Sequence, residues 1–98
     1  MKVKMHSIKF DADSKLLGVV QKKMDKLETF FDRIIDAEVF MRLNNEGIKN
    51  KTVEIKINIP GEQLFATAAD KSFEVATDEA YEALRRQLKK HKTKIFSH

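Results

Sequence analysis

Cysteine is absent from the 98 residues, which excludes disulfides, thiol catalysis and any zinc site built on sulfur. Glycine occurs three times and proline once, so there is no glycine-rich phosphate loop. No apolar run approaches the roughly 20 residues needed to span a bilayer. The opening Met1-Lys2-Val3-Lys4-Met5-His6 alternates charge with apolar residues and lacks the apolar core of a signal peptide. These absences suit a cytoplasmic protein with no membrane partner. Acid is missing from the tail of the chain: no Asp or Glu occurs from Arg85 onward, while six cations fall between Arg85 and Lys94.

The features of an enzyme are thin as well. His6, His91 and His98 fall on a strand, a helix and the terminus, and no acid or nucleophile can be assigned to His6 from the sequence. Asp78, Glu79 and Glu82 share a helix but read as a solvated acidic patch, not a metal site. The expectation is no catalytic residue, no metal, no cofactor and no small-molecule substrate.

A chain of this length makes one domain, residues 1–98, with a single core. Hydrophobic residues make up 42% of it and charged residues 35%, which places it among folded proteins with a busy surface. The net charge is +4 and the pI about 9.4, so the distribution of charge says more than its total.

Taken in order, Lys2 to about Phe10 reads as a strand, with Val3 and Met5 alternating against Lys2, Lys4 and His6. Asp13 is a good N-cap for a helix to about Asp32. Leu16, Val20, Met24, Leu27 and Phe31 form its apolar stripe, widened by Leu17 and Phe30. At about 100° per residue, Lys15, Lys22, Lys26 and Arg33 project within about 40° of one another, away from Asp25 and Glu28. Like charges at such spacings repel, and a helix tuned for stability alone would interleave signs.

Alternation returns over Asp36–Asn44, with Ala37, Val39, Met41 and Leu43 on one face. A polar turn, Asn44 to Asn50, leads to a third strand at Thr52–Ile59, where Val53, Ile55, Ile57 and Ile59 alternate with polar residues. Pro60-Gly61 turns the chain into a fourth strand, Gln63–Ala69. Ser72 then caps a second helix whose expected dry face is Phe73, Ala76, Ala80, Leu84, Leu88, His91 and Ile95. Acids at its front and bases at its rear suit the helix dipole. That preference accounts for one or two lysines in the last turn, not for six cations over about three turns.

The order β-α-β-β-β-α defines an α+β fold: a four-stranded sheet with two helices packed side by side on one face. Both basic helical surfaces then lie on the same side of the molecule. Phe30, Phe31 and Phe73 are expected in the core, and Phe40 and Phe65 on the far face of the sheet. With no aromatics expected among the cations, contacts to phosphate and ribose of structured RNA are favoured over stacked single-stranded bases.

Lys22-Lys23-Met24-Asp25-Lys26-Leu27-Glu28-Thr29-Phe30-Phe31-Asp32 resembles the first-helix signature of the ribosome hibernation-promoting factors and ribosome-associated inhibitor A. Leu84-Arg85-Arg86-Gln87-Leu88-Lys89-Lys90-His91-Lys92 resembles the second-helix signature of the same family. The resemblance covers essentially the whole chain, which looks like the short form without a C-terminal dimerisation domain. It implies a double-stranded-RNA-binding-like fold and binding to ribosomal RNA of the small subunit. Messenger RNA and tRNA sites would be blocked, and idle ribosomes preserved or dimerised, in some bacteria with a ribosome modulation factor as partner. Lys23, Lys26, Arg86, Lys90 and Lys92 match basic positions of the family. Lys22, Arg85 and Lys89 extend that surface by helical projection, completing the expected RNA-binding set. The departures are Ser7 in place of a Gly, and Glu74 in place of a Tyr ahead of Asp78. The alternative is a general double-stranded-RNA-binding module or RNA chaperone.

Overall fold

Strict alternation in two adjacent strands, β2 (Asp36–Leu43) and β3 (Lys51–Ile59), puts Ala37, Val39 and Met41 on the same face as Val53, Ile55, Ile57 and Ile59, and all seven are buried. In this computed structural model, residues 1–44 and 47–96 are described, the side chains of 94–96 excepted. Asn45, Glu46 and His98, and the side chains of Lys94 and Ile95, therefore lie outside the described residues.

The register keeps the apolar rows aligned across all four strands. Antiparallel pairing of β2 with β3 sets Ala37 against Ile57, Val39 against Ile55 and Met41 against Val53. β4 (Glu62–Asp70) pairs antiparallel with β3 and brings Leu64, Ala66 and Ala68 to Ile57, Ile55 and Val53. β1 (Lys2–Ile8) pairs parallel with the free edge of β2, placing Val3 beside Ala37 and Met5 beside Val39. The strand order is β1-β2-β3-β4. Pro60-Gly61 forms the β3–β4 hairpin turn with Gly61 at φ +79°, a left-handed conformation that a Cβ would strain.

Two helices cover the apolar face. Asp13 caps α1 (Ser14–Phe30), its carboxylate accepting from the Leu16 N–H at 2.8 Å. Ser72 caps α2 (Phe73–Phe96) by accepting from the N–H groups of Glu74 and Val75. Val20, Met24 and Leu27 from α1 and Ala76, Ala80, Leu84 and Leu88 from α2 are fully buried. α2 lies against β3 and β4, and α1 against β1 and α2. No helix among the described residues is long and apolar enough to cross a membrane.

The expected element order holds, and the differences lie at element ends. β1 stops at Ile8 and not near Phe10, because Lys9 takes φ +68° and turns the chain, leaving Phe10 to stack on Phe73 at 4.4 Å between centroids. α1 ends at Phe30, two residues short of expectation. Phe31 turns extended (φ −140°, ψ 105°), its N–H still bonded to the Leu27 carbonyl, and its ring enters the core. Arg33 is consequently in the following turn and does not continue the α1 cationic line. The dry face of α2 is also wider than expected, since Thr77 and Tyr81 are buried while Phe73 and His91 are only partly so.

One carboxylate pair joins the end of β4 to α2. Sharing a hydrogen bond with Asp70 raises the pKa of Glu79, with burial and the Asp70 charge adding to the effect. The same bond lowers Asp70, helped by the Lys71 N–H and by the charges of Lys49 and Lys71. A raised folded-state pKa means that Glu79 stabilises the fold while protonated and loses that contribution as pH rises through its folded value. The lowered Asp70 stabilises above its unfolded value and loses its contribution as pH falls through the folded one. The pair therefore favours weakly acidic conditions.

Two outcomes are expected from melting and denaturation. Glu79→Gln, which donates to Asp70 at every pH, raises the melting temperature at pH 7, and the gain disappears at about pH 4, where an ordinary glutamate is protonated in both states. Leu88→Ala, emptying space between α2 and the sheet, costs about 2–5 kcal/mol in urea denaturation with an unchanged m-value.

Candidate nucleic-acid interface

The amphipathic stripes that seat α1 and α2 on one sheet also fix which flanks meet. Lys23 of α1 pairs with Asp78 of α2, and Phe30 further along α1 meets Lys92 further along α2, so the helices run in the same direction. Their shared seam carries Lys23, Lys26 and Phe30 from one side and Asp78, Tyr81, Arg85 and Lys92 from the other.

Cations in this seam are seated on aromatic rings. Lys23 Nζ stands 5.0 Å and Lys26 Nζ 6.0 Å from the centroid of Tyr81, whose residue is only 2% exposed. Arg85 Cζ and Lys92 Nζ stand 4.9 Å and 4.5 Å from the centroid of Phe30. The ammonium of Lys92 also donates to the Phe30 carbonyl at 3.0 Å, where the C-terminal end of α1 favours positive charge. The sequence expectation of cations without interleaved aromatics is corrected here. Phe30, expected in the core, is half-buried beneath two cations, and Tyr81 was not anticipated in the site at all. Its one sequence signal is position: four residues after buried Thr77 and three before Leu84, it widens the apolar stripe toward α1.

The expected site residues divide by direction. Lys22, Lys26, Arg85, Arg86, Lys89 and Lys90 are exposed, whereas Lys23 and Lys92 are partly buried in the seam. A projection at about 100° per residue, taken from the buried positions of α2, points Arg86 almost directly away from the sheet. Lys89, Arg85 and Lys92 lean progressively toward α1, and Lys90 leans to the opposite flank. On α1 the same projection points Lys22 outward and leans Lys26 toward α2. Lys22, Lys26, Arg86 and Lys89 thus form an outer cationic surface above the seam; Lys90 sits beside it, and Lys15 lies farther toward the start of α1.

His6 and His91 have local partners. His91 Nδ1 lies 3.3 Å from Glu62 and its ring meets Phe31 edge-on, tying α2 to the start of β4. His6, for which no acid was assigned from sequence, is 2.9 Å from Glu38 and stacks on Phe40 on the outer face of the sheet. The acids on α2 have structural neighbours too: Asp78 holds Lys23, and Glu79 faces Asp70, with which it can share a hydrogen bond when protonated.

Comparison with known proteins adds to this geometry. A curated relative from Pseudomonas putida, a ribosome hibernation promoting factor, is 33% identical over 94 residues, covering 96% of this chain and 89% of its own length. The ribosome hibernation promotion factor of Bacillus subtilis is 36% identical over 76 residues; the match covers 78% of this chain but only 40% of that longer protein. Among solved structures, a ribosomal subunit interface protein from Coxiella burnetii superposes with TM-score 0.86 over 95% of this chain and 99% of that one, at 24% identity. The N-terminal domain of Thermus thermophilus Protein Y does so with TM-score 0.79 over 93% and 99%, at 22% identity. Those two likenesses establish the shared fold. The sequence profile described as sigma 54 modulation protein / S30EA ribosomal protein matches residues 3–95, and the chain belongs to that family.

Proposed function

We propose that this protein is a non-catalytic ribosome hibernation factor that binds ribosomal RNA of the small subunit through the paired surfaces of α1 and α2. The convergence of Lys23 and Lys26 with Arg85 and Lys92 on one interhelical seam is the observation that carries this reading. The names of the curated relatives support it.

A surface of this kind suits RNA by simple electrostatics. Cations that neutralise phosphates release condensed counterions, so binding is strong at low salt and falls steeply as salt rises. Lys22, Lys26, Arg86 and Lys89 supply charge on the outer surface, with Lys23, Arg85 and Lys92 in the seam and Lys90 at its margin. Contacts to phosphate and ribose set position without reading base sequence. The buried sheet–helix core keeps the bound body rigid, and that body excludes messenger RNA and tRNA by occupying their channel. Nothing in this action needs a bond made or broken. Idle cytoplasmic ribosomes are thereby kept out of translation in stress or stationary phase. Preservation of single ribosomes and dimerisation, alone or with a ribosome modulation factor, are both compatible with such a block.

Charge reversal at Lys26 and Lys89 together is expected to abolish co-sedimentation with small ribosomal subunits while the melting temperature barely moves, since both side chains are exposed. Unchanged co-sedimentation of the folded double variant would refute the proposal. Free RNA duplexes competing on equal terms with ribosomal subunits would instead identify a general duplex-binding module or RNA chaperone.

A further inference from the structure

We infer that the interhelical seam is a two-station clamp for separate RNA phosphates, with the rings of Tyr81 and Phe30 as its rigid floor. This deepens the ribosomal-RNA reading above and rests on it. The first station is Lys23 and Lys26 over Tyr81; the second is Arg85 and Lys92 over Phe30. At a rise of about 1.5 Å per residue the centres of the stations lie roughly 8–11 Å apart along the helices and their nearest members about 6 Å, so each station can meet a phosphate of its own.

Each ring has a separate physical task from the charges above it. A free lysine or arginine side chain samples many rotamers and must be immobilised when it grips a phosphate, which weakens binding. An ammonium or guanidinium resting on a ring face is already restricted, because the negative face of the aromatic quadrupole attracts it. Tyr81 can serve as a fixed platform since its ring is held in the core between the helices and has no freedom of its own. At the second station the Phe30 carbonyl further fixes Lys92.

Asp78 belongs to the first station as well, accepting one hydrogen bond from Lys23. An ammonium has three donors, so two remain for a phosphate oxygen. Asp78 thus aims Lys23, while the adjacent Lys26, which has no ion pair among the described residues, supplies a second charge. No hydrogen-bond partner of Arg85 occurs among the described residues, which leaves its guanidinium fork open for bidentate contact with a phosphate.

The clamp makes a prediction that a count of charges does not. Removing a ring keeps every cation, so affinity falls without any change in the number of phosphates neutralised. Binding of the full chain to purified small ribosomal subunits is measured across a salt series for wild type, Tyr81→Leu, Tyr81→Phe, Phe30→Leu and the Lys23→Gln/Lys26→Gln pair. Tyr81→Leu and Phe30→Leu are each expected to bind roughly three- to tenfold more weakly at every salt concentration, with an unchanged slope of log K against log salt. Tyr81→Phe retains wild-type affinity, because the ring and not the hydroxyl holds the lysines. The lysine pair lowers the magnitude of the slope by about 1.4–1.8.

Wild-type affinity in both leucine variants would overturn the clamp, as would a reduced slope in either or a Tyr81→Phe variant as weak as Tyr81→Leu. If Tyr81→Leu fails to fold, the half-buried Phe30→Leu decides by itself. Wild-type chain that does not bind small subunits overturns the ribosomal reading and the clamp with it, whereas wild-type binding with indifferent ring variants overturns the clamp alone.

Discussion

Two amphipathic helices that must bury their stripes on the same face of one small sheet have to lie side by side, with axes about 8–10 Å apart. Everything of interest on this molecule follows from that packing. Val20, Met24 and Leu27 seat one helix and Ala76, Ala80, Leu84 and Leu88 seat the other, and the small alanines let α2 lie close to the strands. Once both are seated, the flanks carrying Lys23, Lys26, Arg85 and Lys92 are in contact whatever their mutual repulsion. The hydrophobic core brings like charges together and supplies the stability that holds them there.

The seam shows how the repulsion is moderated without removing the charge. Asp78 takes Lys23, the C-terminal carbonyl of α1 takes Lys92, and two aromatic rings face the cations with their electron-rich surfaces. Each device leaves hydrogen-bond donors unspent. A surface stabilised by full ion pairing would have no charge left for a polyanion, and bare clustered lysines would be flexible and mutually repelling. The arrangement lies between those extremes.

The opposite face of the sheet carries a different chemistry. His6 stacks on Phe40 at 4.8 Å and bonds Glu38, Lys56 rests over the same Phe40 ring, and Asn58 donates to Asp36 at 2.6 Å. Phe65 is 59% exposed there. Opposite signs are interleaved and locally paired on this face, whereas along α2 they are segregated, with Glu74, Asp78, Glu79 and Glu82 at its front and Arg85, Arg86, Lys89 and Lys90 toward its rear. The contrast in patterning gives the molecule its polarity.

Most of the fold was legible in the residues because each element carries a clean period. Alternation fixed the inward rows of β2 and β3, Asp13 and Ser72 announced the helix starts, and Pro60-Gly61 marked the hairpin. Element ends were less legible. Lys9 turning to positive φ and Phe31 leaving α1 for the core depend on tertiary contacts, which override local pattern by a residue or two. The cations of the candidate interface could be named from sequence, since charge is a property of residue type. Which of them share a seam could not, because that depends on the rotation of one helix against the other. Helical periodicity left Tyr81 off the expected dry face of α2 and made Phe30 a core residue; only docking of α1 beside α2 slid cations over those rings. Composition and period by themselves determined the elements, their apolar faces and the supply of positive charge. The tertiary structure decided which charges meet and what they rest on, for the physical reason that contacts between elements distant in the chain have no period to be read.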